Sequence, residues 1–489
     1  MKIDQFSGEV ITAGHAEYDA ARAVWNGIID RHPLVIARCQ RNADVIAALR
    51  FARRHDLEIA IRGGGHNVAG TAVCDDGIVI DLTAMREVRV DPDRRTVHVQ
   101  GGALWSDVDR RTQIHGLATT GGIISHTGVA GLTLGGGIGW LMRKQGLTID
   151  NLRAADVVAA DGDFLRASED QHPDLFWGLR GGGGNFGVVT SFEFQLHPLG
   201  PGVLAGPILW SADDAVEVLH FYREFIRNAP DELGTVVRFG TAPPLPVIPE
   251  DLHWRPVVLV GVCFAGPVEE AEDVIRPLRA FGKPLLDLIA TSPYVNHQSA
   301  LDSTVAHGWN YYWKSTYLPE LDDHLIKVMV ENAFAASSPR SYVAMFHLGG
   351  AVSRVPVGAT AFGNRRASHA VTLDGVWRPG DDYADGDIAW AKRFFTALDE
   401  YREGVYVNFL GGDEEPDRVE EAYGSAVYQR LAEVKAEYDP ENVFHHNQNI
   451  RPRAGSAVLT SRGEIERGPF AATDPASRPA TGTSQGPND

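Results

Sequence analysis

Residues 61–70 read IRGGGHNVAG, and the reading of this decapeptide decides the fold. The apolar run ahead of it, Leu57 to Ile61, predicts a short strand. Three glycines then let the chain turn tightly and bring bare backbone close to something large. His66 is delivered wherever that turn aims it. Two further segments share the character: 128–139, GVAGLTLGGGIG, and 180–189, RGGGGNFGVV. Glycine-rich backbone turns its N–H groups inward and approaches phosphate closely. One such segment reads as a tight turn in a β-rich domain. Three together point to one extended anionic cofactor wrapped by several loops.

A Rossmann fingerprint is the competing interpretation, and its context is absent. GGGIG at 135–139 lacks the final glycine, because position 140 is Trp140. GGGNFG at 182–187 has the right letters, but VVTSFEFQL follows, a strand pattern instead of the required helix.

The totals set the frame. A chain of 489 residues predicts two or three structural units. With 44% apolar and 9% aromatic residues it can bury a real core. Lys plus Arg is 45 against 64 Asp plus Glu, and the resulting net charge of −19 argues against nucleic-acid or anionic-membrane partners. Cys39, Cys74 and Cys263 form no CxxC pair and no disulfide framework. The start, MKIDQFSGEV, lacks the pattern of a signal peptide. The most apolar run, Pro256 to Ala265, suits a buried strand and is too short to span a bilayer. A soluble cytoplasmic protein is expected.

Periodicity gives helices over 14–29, 42–55 and 103–115, and short strands at LEIAI, IVIDL, VRVD and TVHVQ, with a hairpin turn at DPDRR, 91–95. VVAADGDFL reads as a second hairpin and GVVTSFEFQLHPL as a strand. Heavy Pro and Gly punctuation at 198–202 marks a boundary. Beyond it, strand-like runs alternate with helix-like runs at 212–228, 267–281, 319–335 and 383–402, predicting a helix-covered, mainly antiparallel sheet. A helix is expected over 417–437. The last stretch, 453–489, is rich in Ser, Thr, Gly, Pro and Ala and reads as a low-complexity tail. The fold class is α+β.

RGGGHNVAG, TTGGIISHTGVAGLTLGGGIGWL, GLTIDNLRAADVVAADG and DLFWGLRGGGGNFGVVTSFEFQL resemble the FAD-binding domain of the vanillyl-alcohol-oxidase superfamily. YVNFLGGD and DPENVFHHNQNIRP are similar to the C-terminal segment of the berberine-bridge-enzyme-like oxidases. The resemblance implies a two-part FAD domain, 1–202 completed by 406–452, around a substrate domain at 203–405. It implies that His66 bonds covalently to the flavin. It also implies a cofactor-binding set: Arg62, Gly63, Gly64, Gly65 and Asn67; Thr127, Gly128, Gly131, Thr133, Gly135, Gly136, Gly137 and Gly139; Asn185, Gly187, Val188 and Val189; and Asn447 and Asn449. A covalent tether raises the flavin's redox potential. Many plant members add a cysteinyl tether where this chain has Ile124, so a single bond is expected. Thr127 stands at the position that gates oxygen in the family.

For catalysis the resemblance puts Tyr406 and Asn408 on the substrate side of the flavin, Tyr406 as base or positioner. Phe409 replaces a second tyrosine found in relatives. The alternative for Tyr406 is a strand tyrosine with a satisfied hydroxyl. GWNYYWKSTYL, 308–318, is either pocket lining or core, and its Lys314 is the best match to a lysine in one relative's site. His347 and His369 read as structural. No HExxH or G-x-S-x-G motif occurs, and His445-His446 lies in a family segment, so no metal is expected. The expected activity takes a hydride from a C–H beside O or N of a small or mid-sized alcohol, amine or natural product and gives the electrons to O2. The alternatives are a flavin-containing drug-binding or resistance protein, and a dehydrogenase with another acceptor.

Overall fold

The strand predicted ahead of the glycine run forms as Ile59–Arg62 in a computed structural model that describes residues 2–200, 202–415 and 417–453. It pairs in parallel with Ile78–Asp81, which pairs in parallel with Val35–Arg38; Glu9–Ile11 closes the far edge antiparallel. Helix Asn42–Arg54 follows Val35–Arg38 and lays Val45, Leu49 and Ala52 on the core under Ile78 and Ile80. Its apolar residues recur at helical spacing, which makes that stripe.

A second, antiparallel sheet runs in the order Val88–Asp91, Thr96–Gln100, Val188–Gln195, Leu152–Val158, Phe164–Ser168. Both predicted hairpins are there. Val188–Gln195 occupies the middle of this sheet, which is why GGGNFG leads into a strand.

The helix expected over 14–29 shrinks to Tyr18–Arg22. The backbone beyond it bonds elsewhere: Trp25 N–H donates to Gly65 O at 3.0 Å, and Asn26 Nδ2 donates to Val68 O and Tyr311 O at 2.8 and 2.9 Å. The helix expected over 417–437 is two, Asp417–Tyr423 and Ser425–Tyr438, broken where Gly424 takes φ +72. The expected tail, 453–489, lies outside the described residues apart from Arg453.

The third sheet is antiparallel, with Val203–Ser211, Pro256–Phe264, Leu233–Thr241, Tyr342–His347, His369–Trp377 and Asn310–Leu318 in that order. Helices Ala215–Arg227, Val268–Arg279, Asp323–Ala333 and Ala384–Ala397 cover one face, burying Val237, Val260, Val343, Val371 and Leu373. The other face, carrying Val236, Tyr311, Tyr342, Ala344 and Phe346, packs toward the glycine-rich loops. Strand alternation separates the two faces residue by residue.

Two buried ionic ties hold the parts together. Lys435 Nζ donates to Asp439 at 2.6 Å, Asn185 O at 2.7 Å and Phe444 O at 2.9 Å, binding the 180–187 loop to the C-terminal segment. Arg365 grips Asp150 through two nitrogens at 2.7 and 2.8 Å. Removing one partner of such a pair leaves a buried charge uncompensated.

Helix Trp105–Gln113 meets the short helix Tyr294–Ser299 at Asp109, whose carboxylate accepts from Gln298 Nε2 at 3.1 Å. Burial pushes this carboxyl up to about 7, well above the ordinary carboxylate range. The folded protein therefore holds a proton that the unfolded chain has released. Stability is lost as pH rises from about 4 to about 7, and the penalty then stays constant. Asp109→Asn is expected to raise the melting temperature at pH 8 and to leave it near the wild-type value at pH 4. Equal shifts at both pH values in a thermal melt contradict this account.

Candidate active site

The turn at 63–65 is fixed by a backbone crossing. A Cβ at Gly64 would stand 2.5 Å from Gly128 Cα, and a Cβ at Gly128 would stand 2.5 Å from Gly64 N, so neither position admits a side chain. Gly65 takes φ +65. The second strand of the crossing is pinned by Trp105 N–H to Thr127 O at 3.0 Å and Val129 N–H to Ala103 O at 2.9 Å. Among the described residues no acceptor takes the N–H groups of Gly64, Gly65 or His66. Such a run of free donors is a nest for an anion.

His66 leaves this turn with its ring stacked on Trp25, centroids 4.3 Å apart and planes at 14°. Its Nε2 lies 3.2 Å from Nδ1 of His126. The surrounding protein, with His126 and His307 close by, holds the His66 imidazole well below its usual pKa. The neutral ring, with its nucleophilic lone pair, is the resting form.

His66 opens on a cavity of about 2120 Å³, part of it open to solvent. One end is walled by Gly63, Gly64, Gly65 and Asn67, by Thr127, Gly128 and Gly131, by Gly183, Gly184, Asn185, Gly187 and Val189, and by His446, Asn447 and Gln448. The other end is walled by Trp25, Ile124, Arg238, Trp313, Tyr342, Phe346, Asp374, Tyr406, Asn408 and Phe409. Cβ atoms at Gly131 and Gly184 would meet no protein atom within 4 Å. The room they leave therefore belongs to the cavity and not to packing. Asn447 Oδ1 is buried in the wall with no hydrogen-bond partner among the described residues. A glycine cradle, free N–H donors and an orphaned amide oxygen fit a long polar dinucleotide at this end.

Several expected residues lie elsewhere. Gly135, Gly136, Gly137 and Gly139 stand behind the wall. The spaces where their side chains would go hold Asn408 Oδ1, the Phe362 ring, Thr148 Oγ1 and Gly121 O respectively. Thr133 is buried on the helix Val129–Gly135, and Val188 belongs to the core under the first sheet. Asn449 is outside the wall. Arg62 bonds the carbonyls of Ala21 and Ala23, anchoring the chain that carries Trp25. Lys314 is a correction. On the strand Asn310–Leu318, Trp313 faces the cavity, whereas Lys314 faces away and pairs with Asp413 at 2.8 Å and Glu414 at 3.0 Å. The two-residue period of the strand makes the two directions exclusive.

Tyr406 and Asn408 both reach the wall. Tyr406 Oη accepts from Gly137 N–H and from Asn408 Nδ2, each at 2.8 Å. Burial nevertheless pushes the phenol up to about 12. The hydroxyl keeps its proton to donate. Phe409 packs edge-on against it at 4.8 Å. His347 and His369 face each other across paired strands, and His347 Nε2 lies 3.2 Å from Arg143.

Sequence reasoning did not find Arg238, Asp374, Tyr342, Trp25 or His126. Arg238 and Asp374 carried a signal: each is a lone charge inside an apolar strand run, TVVRFG and HAVTLDGVW, on the face opposite Val237, Val371 and Leu373.

The family model for the FAD binding domain matches residues 33–168, and one described as berberine and berberine like matches 405–451. (R)-6-hydroxynicotine oxidase of Paenarthrobacter nicotinovorans is 33% identical over 91% of this chain and 97% of its own. The chain belongs to the berberine-bridge-enzyme-like FAD-linked oxidases. An FAD-linked oxidoreductase of Dictyostelium discoideum is 30% identical over 92% of this chain and 96% of its own. The crystal structure of 6-hydroxy-D-nicotine oxidase from Arthrobacter nicotinovorans superposes with a TM-score of 0.83 at 31% identity, covering 92% of this chain and 99% of that one. Acremonium strictum glucooligosaccharide oxidase, with its 6-S-cysteinyl, 8α-N1-histidyl FAD, shares the fold at a TM-score of 0.81 and 24% identity, over 91% of this chain and 98% of that one. The matched segments contain the glycine crossing and the Tyr406–Asn408 pair. FAD is the cofactor of this fold, and the glycine-lined end of the cavity is where it fits.

Gly128→Ala forces a methyl group into Gly64 and is expected to cost about 1–3 kcal/mol of stability. It should also lower the flavin carried per purified chain, read as the 450 nm to 280 nm absorbance ratio. Full flavin loading and an unchanged melt would contradict the crossing.

Proposed function

We propose that the protein is an oxidase in which a single covalent bond from His66 holds the FAD. It would take a hydride from a C–H beside O or N of a small or mid-sized organic substrate and pass the electrons to O2, giving H2O2. The observation that carries this reading is His66 itself. It is neutral, clamped between Trp25 and His126, and it opens on the cavity at the point where the free N–H groups end. Ile124 lines the wall where a second tether would stand, and Cys39, Cys74 and Cys263 are buried free thiols far along the chain from it. Those reduced, buried thiols also suit a cytoplasmic setting.

When bound, FAD supplies a two-electron acceptor. The chain supplies the rest. Asn185 holds the shape of its loop through Gly182 O at 2.9 Å and Ile450 N–H at 2.9 Å, presenting backbone to the dinucleotide. Tyr406, a neutral phenol fixed by Gly137 and Asn408, orients the substrate by donating its remaining proton. Trp25, Phe346 and Phe409 exclude water from the reacting end and offer flat apolar surface. Thr127 lines the cavity at the position expected to admit oxygen.

Acid-denatured wild-type protein is expected to stay yellow in the pellet, and His66→Ala to release all of its colour to the supernatant. Retained colour in the variant, or a colourless wild-type pellet, overturns the tether. A panel of aromatic alcohols and amines under air, read by peroxide formation, separates an oxidase from a binding protein. Flavin that is reduced by a substrate but reoxidised in air only over minutes favours a dehydrogenase.

A further inference from the structure

We propose that Arg238 anchors a carboxylate of the substrate, which is therefore an organic acid with a flat apolar body. This rests on the flavin-oxidase reading above and names the substrate class of that same site. Arg238 stands on the strand Leu233–Thr241 at the parity that faces the cavity. It lies directly opposite Ala344, whose short side chain leaves cavity above the pair. The guanidinium lies over the Tyr342 ring, 3.8 Å from its centroid. Stacking uses the face of the group and leaves its edge of N–H donors free. Among the described residues nothing takes them, for Arg238 makes no ion pair and no side-chain hydrogen bond. Burial pulls its pKa below the usual value, yet an arginine keeps its charge. A desolvated cation without a counter-ion is costly, and one that opens on a cavity is where an anionic ligand group completes the bonding.

Much of this end is apolar, walled by Trp25, Ile124, Leu301, Val305, Phe346 and Phe409. The cofactor's phosphates have the glycine-lined end, so Arg238 faces the substrate. An ammonium would meet a like charge there in a poorly solvated space. A phosphate monoester would bring nearly two negative charges to one guanidinium. A carboxylate matches the group in charge and in shape, because both are planar and pair through two parallel bonds.

The same sheet face is cationic further out along its strands. Arg340 lies two residues ahead of Tyr342 and Arg378 four beyond Asp374, each carrying the alternation just past a strand end on the cavity side. Their guanidinium groups stand over the Trp309 ring at 5.5 and 5.3 Å, and Arg340 also over Trp254 at 5.1 Å. Neither forms an ion pair with a described residue. On a chain of net charge −19, such a patch draws toward this face the anions that the rest of the surface repels.

Asp374 lies opposite Tyr342 and faces the same space, with neither carboxyl oxygen bonded to a described residue. Burial pushes this carboxyl up to about 7, against the pull of the Thr372 hydroxyl and Arg238. Below that pH it is neutral and donates a hydrogen bond to the bound carboxylate. Above it, a second negative charge faces the ligand. The other ionisable groups around this space are Tyr342, Tyr311, Tyr406 and His66. Burial raises the three tyrosines and lowers the histidine, so all four stay neutral through this range. Acid binding therefore weakens as pH rises through about 7.

The test is titration of the flavin-loaded protein with benzoate, phenylacetate and cinnamate, each against its amide, and with phenyl phosphate. Binding is read from the change in flavin absorbance near 450 nm. Below pH 7 the acids are expected to bind at least about tenfold tighter than their amides and than phenyl phosphate. Above pH 7 the acids should lose affinity and the amides should not. Arg238→Met is expected to weaken the acids about 100-fold, to leave the amides within threefold and to keep the flavin. Arg238→Lys should recover part of the loss, and Asp374→Asn, which donates at every pH, should flatten the pH dependence. The comparison of acids with amides in wild type holds even where Arg238→Met fails to fold. Amides bound as tightly as acids, phenyl phosphate bound more tightly than either, or an Arg238→Met acid affinity within threefold of wild type overturns the proposal. So does the absence of any response to the acids in fully flavin-loaded protein. Wild-type protein without flavin instead overturns the reading beneath it.

Discussion

The rest of the site depends on the contact between Gly64 and Gly128. Two backbone segments from distant parts of the chain cross with no room for a single methyl group on either. That closeness leaves the N–H groups of Gly64 to His66 without acceptors among the described residues, and it sets the direction in which His66 emerges. Trp25 then closes one side of the imidazole and His126 fixes its Nε2. Even the shortened first helix follows from this crossing, because Trp25 N–H is spent on Gly65 O.

The large antiparallel sheet supplies the other half of the cavity by having two unlike faces. Valines and leucines at one parity pack under four helices. At the other parity stand the aromatic, polar and charged side chains that look toward the cofactor loops. The buried ties of Lys435 and Arg365 hold these loops and the C-terminal segment in register with the sheet. A buried charge satisfied by three acceptors, as at Lys435, specifies one arrangement because any other leaves it unpaired.

Much of this was legible in the sequence, for identifiable reasons. The three glycine segments announced close backbone approach, and strand alternation announced the sheets. The strand after GGGNFG told against a Rossmann unit. Local signals failed where distant partners decide. Nothing near residue 14 reveals that Trp25 and Asn26 bond to residues 65, 68 and 311. Gly424 sits in a helical pattern, and the positive φ that breaks the helix there is set by packing. The resemblance points to Lys314, but strand alternation lets only one of Trp313 and Lys314 face the cavity, and in the structure it is Trp313. Asp374 shows the same rule in reverse, since its parity in HAVTLDGVW aims it at the cavity. The glycines at 135–137 fit a cofactor motif in letters, yet their missing side chains make room for Asn408, Phe362 and Thr148.

The most direct test of the central claim, that the crossing delivers His66 to the flavin, is peptide mapping of the native protein by mass spectrometry. The account predicts that the proteolytic peptide containing His66 carries the mass of FAD less two hydrogens, and that fragmentation places the flavin on the imidazole. An unmodified His66 peptide, or flavin attached to any other residue, would contradict it.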